Sequence, residues 1–234
     1  MSTFTHPARA LVFLALFMLP VIPLQADAAT RSYSKYWQDV SSREGSSYAE
    51  RSSSRSRYSS AIQKEIKKLD DDIVENLPIP IVLGLSQSQI TADFGDDRDG
   101  GSRSHAGQDL IAPRGAFIAS PTDAVVTRTG EGGSSGIYVY TANPGGETFA
   151  YMHLDRIADG IKPGTVLTQG DLIGYVGDSG NAKGGVTHLH FEIRDGREAV
   201  DPYPRLTKEF SLEQKINLLR GILAELIKEQ KKLS

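Results

Sequence analysis

Between Ile81 and about Leu206 the chain alternates short β-forming runs with turns built on Gly, Asp, Asn and Pro. Gly136–Gly146 (GIYVYTANPGG), Glu147–Leu154 (ETFAYMHL), Gly170–Gly180 (GDLIGYVGDSG) and Thr187–Gly196 (THLHFEIRDG) all follow this rule. Runs this short, punctuated this often, pair as hairpins and leave no room for crossover helices. The predicted fold class is therefore mainly β: an antiparallel, β-sandwich-like sheet over 78–206, with a helix on either side. The stretch shows neither heptads nor a solenoid period. Cysteine is absent, so no disulfide can staple the fold and no thiolate can hold a metal or act as nucleophile.

The flanks have other characters. Arg9, the apolar run Leu11–Leu19 and Ala26-Asp27-Ala28 form the n-region, core and small-x-small site of an export signal over 1–28. The apolar run is too short to span a bilayer, which needs about 20 residues. An export signal places the chain in the periplasm, outside the cell or on the wall. Residues 29–60 are rich in Ser and Arg, have no apolar period, and are expected to be a flexible linker. Its weak positive balance could touch an anionic wall or membrane surface. The net charge of −3 gives no reason to expect a nucleic-acid partner. Ile62, Ile66, Leu69, Ile73 and Leu77 recur at spacings of three and four, which predicts a helix over 61–77 ended by Pro78 and Pro80. A second helix is expected within 207–234, starting at the capping box Ser211–Gln214. Its broad apolar face, from Leu212 to Ile227, is expected to pack on the β domain, with the first helix or a second chain as alternative partners.

Chemistry is concentrated in the histidines. Of five in the chain, His6 falls in the export signal. The others form three clusters inside the β domain: His105-Ala-Gly-Gln-Asp109, Tyr151-Met-His153 and His188-Leu-His190. Alternate residues of a strand share a face. His188 and His190 therefore point to one side of Thr187–Ile193, while Leu189, Phe191 and Ile193 point to the other. His105 and Asp109 are four apart, a spacing that permits a shared metal. Two imidazoles and one carboxylate suit zinc with a fourth position left open, the arrangement of a catalytic site. The remaining histidines, His153 and one of the pair, could then act as base and oxyanion stabiliser.

These motifs resemble the lysostaphin/LytM-type zinc metalloendopeptidases, which hydrolyse bacterial peptidoglycan. Their pattern H-x-G-x-D, Y-x-H-L, H-L-H-F-E reads here as His105–Asp109, Tyr151–Leu154 and His188–Glu192, within a similarity spanning about Ile90 to Pro204. The resemblance implies one Zn2+ per chain held by His105, Asp109 and His190. It implies His188 as general base, alone or shared with His153, and His153 as stabiliser of the tetrahedral intermediate. The implied reaction is cleavage of cross-links or stem peptides by metal-activated water, with peptidoglycan as partner. The chain departs from the pattern around the groove: Asp96–Ser104 lacks the usual Arg-then-Pro, and Gln108 replaces an apolar residue.

Other readings compete. A non-catalytic, wall-binding regulator of other hydrolases would keep the metal site but occlude it, with the Ser-rich segment or the 61–77 helix over the groove. A 2-His-1-carboxylate iron site shares the ligand types, but leaves His153, His188 and the export signal without a role. Lys162–Gly174 is similar to a biotinyl or lipoyl carrier turn, yet has no lysine at a hairpin tip. The C-terminal helix could also drive oligomerisation.

Overall fold

Ser59 starts the first helix, α1 (Ser60–Ile66), its hydroxyl accepting the Ile62 N–H at 3.4 Å. This is shorter than the helix expected over 61–77. The physical reason lies in Asp70-Asp71-Asp72: three carboxylates in succession oppose the negative C-terminal end of a helix. Asp70 also bonds locally, its Oδ1 accepting the Asp72 N–H at 3.3 Å, which favours a turn. Leu77 leaves the helix for an extended segment. Its N–H donates to Arg205 and its carbonyl accepts from Lys208, and its side chain is fully buried. The computed structural model describes residues 58–98 and 100–233. The export signal at 1–28 and nearly all of the 29–60 linker lie outside the described residues.

The β domain follows as β1 (Asp97–Arg98), β2 (Arg103–Ser104), β3 (Gln108–Ile111), β4 (Phe117–Ala119), β5 (Ala124–Gly132), β6 (Gly136–Ala142), β7 (Thr148–Ile157), β8 (Val166–Leu167), β9 (Leu172–Val176), β10 (His188–Asp195) and β11 (Glu198–Val200). β1 and β2 make a small ribbon; the rest form one nine-stranded sheet with the central order β11-β10-β7-β6-β5-β8. Every pairing between these strands is antiparallel.

Two strands have three partners each, and a strand has only two edges. On one edge β10 pairs with β7; on the other it pairs first with β3 over His188–Phe191 and then with β11 over Ile193–Asp195. β7 pairs with β6 on one edge. On the other it leaves β10 after Met152 and takes up β9 from Leu154. His153 is the residue of the hand-over. Its φ of 62° is the only positive value at a non-glycine among the described residues, a conformation that costs on the order of 1 kcal/mol or more.

The core sits behind this sheet. Phe149, Tyr151, Leu189, Phe191 and Ile193 are fully buried and pack with Leu77, Leu110, Ile118 and Leu206. The alternating residues of the same strands face the opposite way. A buried bidentate pair, Arg205 to Glu147 at 2.6 and 2.9 Å, fastens the segment after β11 to the start of β7. The same guanidinium donates to the Val74 carbonyl at 2.6 Å.

The second helix, α2 (Leu212–Leu233), begins with the expected capping box: Ser211 N–H donates to Gln214 Oε1 at 2.8 Å, and Gln214 N–H to Ser211 Oγ at 3.2 Å. Its apolar face is not buried as a whole. Leu218 and Ile222 pack against Val82, Ala119 and Phe210, whereas Leu212, Ile216, Leu219, Leu223, Leu226 and Ile227 remain exposed. Residues 214–222 touch the domain, and the turns that follow run past it.

Candidate metal centre

β3 lies beside β10 with His190 opposite Asp109. This register alone joins Asp109 and His190, 81 residues apart, on the face away from the core. His105 arrives from the turn before β3, where its backbone N–H donates to the Asp96 carbonyl at 2.9 Å. His105 Nε2 then lies 3.0 Å from Asp109 Oδ1 and 2.9 Å from His190 Nδ1, with His190 Nδ1 2.8 Å from the same Asp109 oxygen. Among the described residues these three form the one group of His, Asp and Glu side chains close enough to hold a metal ion.

Other atoms of the cluster are committed to holding it still. His105 Nδ1–H donates to the Asp93 carbonyl at 2.8 Å. His190 Nε2–H donates to Glu192 at 3.1 Å, and Glu192 in turn accepts from Arg194 Nε at 2.6 Å. Asp109 Oδ2 accepts from Arg98 at 3.0 Å. With both imidazoles neutral, each inward atom is a ligand-type lone pair, and each outward atom is oriented by a second group, as metal-binding imidazoles and carboxylates require. The donor set of two imidazole nitrogens and one carboxylate oxygen fits zinc with one open position.

Gly107 makes the close approach possible. A Cβ there would sit 2.6 Å from the Phe191 carbonyl oxygen, 2.8 Å from His190 Nε2 and 2.9 Å from Glu192 Cγ.

Electrostatics follow the geometry. Burial opposes a charge on His105, but the hydrogen bonds to Asp109 and Asp93 outweigh it and lift the pKa to about 10. Burial likewise opposes charge on His190, and Asp109 and Glu192 overcome it in the same upward direction. Asp109 is held far below the usual carboxylate range by the two imidazoles, against its own burial. The free cluster is therefore a carboxylate sharing protons with its two histidines.

The remaining two histidines stand beside it. His153 and His188 have ring centroids 5.0 Å apart, and His153 lies 5.8 Å from His190. His153 Nδ1–H donates to the Ser179 carbonyl at 2.9 Å, and His188 Nδ1–H to the Val186 carbonyl at 2.8 Å. A carbonyl can only accept, so both rings present Nε2 as an acceptor when neutral. His188 Nε2 is 3.7 Å from Asp109 Oδ1. Burial, with the neighbouring His188 and His190, pushes the pKa of His153 down to about 4, so it is neutral near pH 7.

All five residues singled out from the sequence line one cavity of about 400 Å3, together with Arg98, Tyr140, Glu192 and Arg194. No residue of α1 lines it. Sequence reasoning assigns no role to the orienting groups Asp93, Arg98, Glu192 and Ser179, although Glu192 closes the motif His188–Glu192. For Glu192 there was a signal, since it lies two residues beyond His190 on the same strand face. For Asp93 and Ser179 there was none, because loops bring them in.

Residues 103–202 match the family model described as Peptidase family M23. Among curated proteins, the chain is 32% identical over 139 residues to an L-Ala–D-Glu endopeptidase of Bacillus subtilis, covering 55% of this chain and 42% of that protein. It is 34% identical over 102 residues to the DD-carboxypeptidase/endopeptidase Mpg of Neisseria meningitidis, covering 43% of this chain and 22% of that protein. The chain thus spans less than half the length of either relative. A solved zinc-containing peptidase from Vibrio cholerae is 28% identical with a TM-score of 0.44, covering 53% of this chain and 37% of that one.

Proposed function

Residues 103–202 are a peptidase family M23 domain, and from that premise we propose that the chain is an exported zinc endopeptidase that hydrolyses peptide bonds of bacterial peptidoglycan. The observation that carries the reading is the convergence of His105 Nε2, Asp109 Oδ1 and His190 Nδ1 with two imidazoles left over beside them. His105, Asp109 and His190 would hold the zinc. The ion supplies a Lewis acid, which acidifies water and polarises a carbonyl.

The chain's own residues do the rest. His188 and His153 are each pinned through Nδ1–H to a backbone carbonyl, which fixes the tautomer and points the basic Nε2 at the site. His188 takes the proton of the attacking water and passes one to the departing amine, a task His153 can share. Once Nε2 has taken up a proton, with Nδ1–H still held on the Ser179 carbonyl, His153 steadies the developing oxyanion. Asp93, Glu192 and Arg98 keep the three ligands from rotating.

The regulator reading requires something over the site. α1 packs against β5 and lines no part of the cleft, which removes the helix as the cover; the Ser-rich segment lies outside the described residues. The deciding experiment is digestion of purified peptidoglycan by the zinc-loaded chain, with mass analysis of the soluble fragments and His190→Ala as control. New peptide termini from the wild type alone are expected. Identical fragments from both, or none from either, would overturn the reading.

A further inference from the structure

A second cavity, of about 460 Å3, shares Tyr140 and Arg194 with the metal cleft and is lined further by Arg128 and Arg197. Strand register explains the continuity. Arg128 on β5 stands opposite Tyr140 on β6, Tyr140 opposite Ala150 on β7, and Ala150 opposite Glu192 on β10. One row thus crosses four strands on the face that carries His190. Arg194 is the next residue on that face of β10, opposite Thr148, and lies about 13 Å along the strand from His190. Arg197 sits at the tip of the β10–β11 hairpin, closed by the Asp195–Glu198 pair.

The charges in this groove are unbalanced. No acidic side chain among the described residues lines it. Arg128 lies over the Tyr140 ring at 4.2 Å and near Tyr138 at 5.3 Å. Stacking there holds the guanidinium plane and leaves it N–H donors to spare. Neither Arg128 nor Arg197 has a carboxylate partner among the described residues. Arg194 spends Nε on Glu192 and Nη1 on the Arg197 carbonyl at 3.3 Å. Guanidiniums gathered around a concave surface repel each other and focus a positive potential that only an anion relieves.

We infer that this groove is a subsite for a carboxylate carried by the peptide whose backbone lies in the metal cleft. The substrate is then an acidic stem peptide rather than an uncharged oligoglycine bridge. This rests on the endopeptidase reading. At roughly 3.4 Å per extended residue, the carboxylate lies up to about four residues from the bond at the metal. Planar, bidentate pairing with a carboxylate is what arginine does better than lysine.

The test uses the zinc-loaded full chain and two labelled tetrapeptides that differ only in a glutamate carboxylate being free or amidated. Binding is read by stopped-flow anisotropy before turnover. The wild type is expected to bind the acid about tenfold more tightly or better, equivalent to about 1.4 kcal/mol, and raising the salt to about 0.5 M should shrink the difference. Arg128→Gln with Arg197→Gln should abolish the preference, with zinc content and circular dichroism reporting an intact fold. Equal binding of the two peptides by the wild type, or the same preference in the double variant, overturns the inference. Displacement of both peptides alike by inorganic phosphate, with no acid–amide difference, also overturns it and marks a general anion site. Failure of the parent reading looks different: no wall fragments are released, yet the acid–amide preference persists and the groove stands as a binding site.

Discussion

At the scale of single residues, Gly107 is the most restrictive position in the site. Its backbone runs so close to β10 that any side chain meets the Phe191 carbonyl and the His190 ring at under 3.0 Å. Neither can yield without moving His190, a proposed ligand. Gly107→Ala is therefore expected to lower zinc affinity by about tenfold or more, as loss of ligand orientation does, and to cost about 1–3 kcal/mol of stability from overpacking. Competition with a calibrated chelator and urea unfolding measure the two; full zinc loading with wild-type affinity would refute the argument. The proton balance gives a second expectation. Below about pH 10 the metal-free cluster keeps a proton on His105, and that proton must leave before Nε2 can bind an ion. Zinc affinity is thus expected to rise with pH through the neutral range, and binding at pH 7 should release on the order of one proton. Calorimetry in buffers of different ionisation enthalpy counts it, and a pH-independent affinity would contradict the sign. Period-two alternation along Thr187–Ile193 is enough to put the imidazoles of His188 and His190 on one face, and the same rule places Glu192 beside them. Asp93, twelve residues from His105, is illegible in the sequence because an irregular turn sets its place and local spacing says nothing about it.

At the scale of elements, the decisive feature is the break in β7 at His153, where one edge passes from β10 to β9. The loop after β9 holds that break open. Ser179 accepts from His153 through its carbonyl, while its hydroxyl donates to the Leu154 carbonyl at 2.7 Å and accepts from the Ile137 N–H at 2.9 Å. Arg114 clamps the same loop, bridging Asp155 at 2.6 Å and Asp178 at 2.5 Å. Asp178 also accepts the Gly184 N–H at 3.2 Å. None of these groups touches the three ligands. Arg114→Ala is therefore expected to leave zinc content unchanged and to lower kcat by about three- to tenfold through a looser His153. Loss of zinc in this variant would show that the loop supports the ligands instead. Hairpins are readable from their turn residues, because Gly, Asp and Asn mark reversals by local conformation. The hand-over in β7 is not, because it depends on which distant strand wins each edge. The first helix shows the same limit in reverse: its apolar period runs on to Leu77, but three adjacent aspartates follow its end at Ile66 and Leu77 is left free for the core.

For the molecule as a whole, α2 separates what stabilises the fold from what performs chemistry. It contributes no side chain to the metal cleft or to the arginine groove among their described lining residues. Its link to the domain is the contact of Leu218 and Ile222 with Val82, Ala119 and Phe210, helped by Gln214, whose amide donates to Gln169 at 2.9 and 3.2 Å. Burying one to two aliphatic side chains is worth roughly 2–5 kcal/mol, against a typical domain stability of about 5–15 kcal/mol. A chain ending at Phe210 should therefore still fold, with a urea midpoint lowered by about 1–2 M at the usual dependence on denaturant. Its kcat/KM on a soluble peptide should stay within about twofold of the full chain, because the main core that positions β3, β7 and β10 is untouched. On intact wall the comparison asks something more. The exposed stripe of Leu219, Leu223 and Ile227 is removed together with the buried turn, so a selective loss on wall, with soluble-peptide cleavage preserved, would assign the helix to substrate delivery. Equal rates on both substrates would confine it to stability. Loss of soluble-peptide cleavage in a chain that still unfolds cooperatively would refute the separation itself.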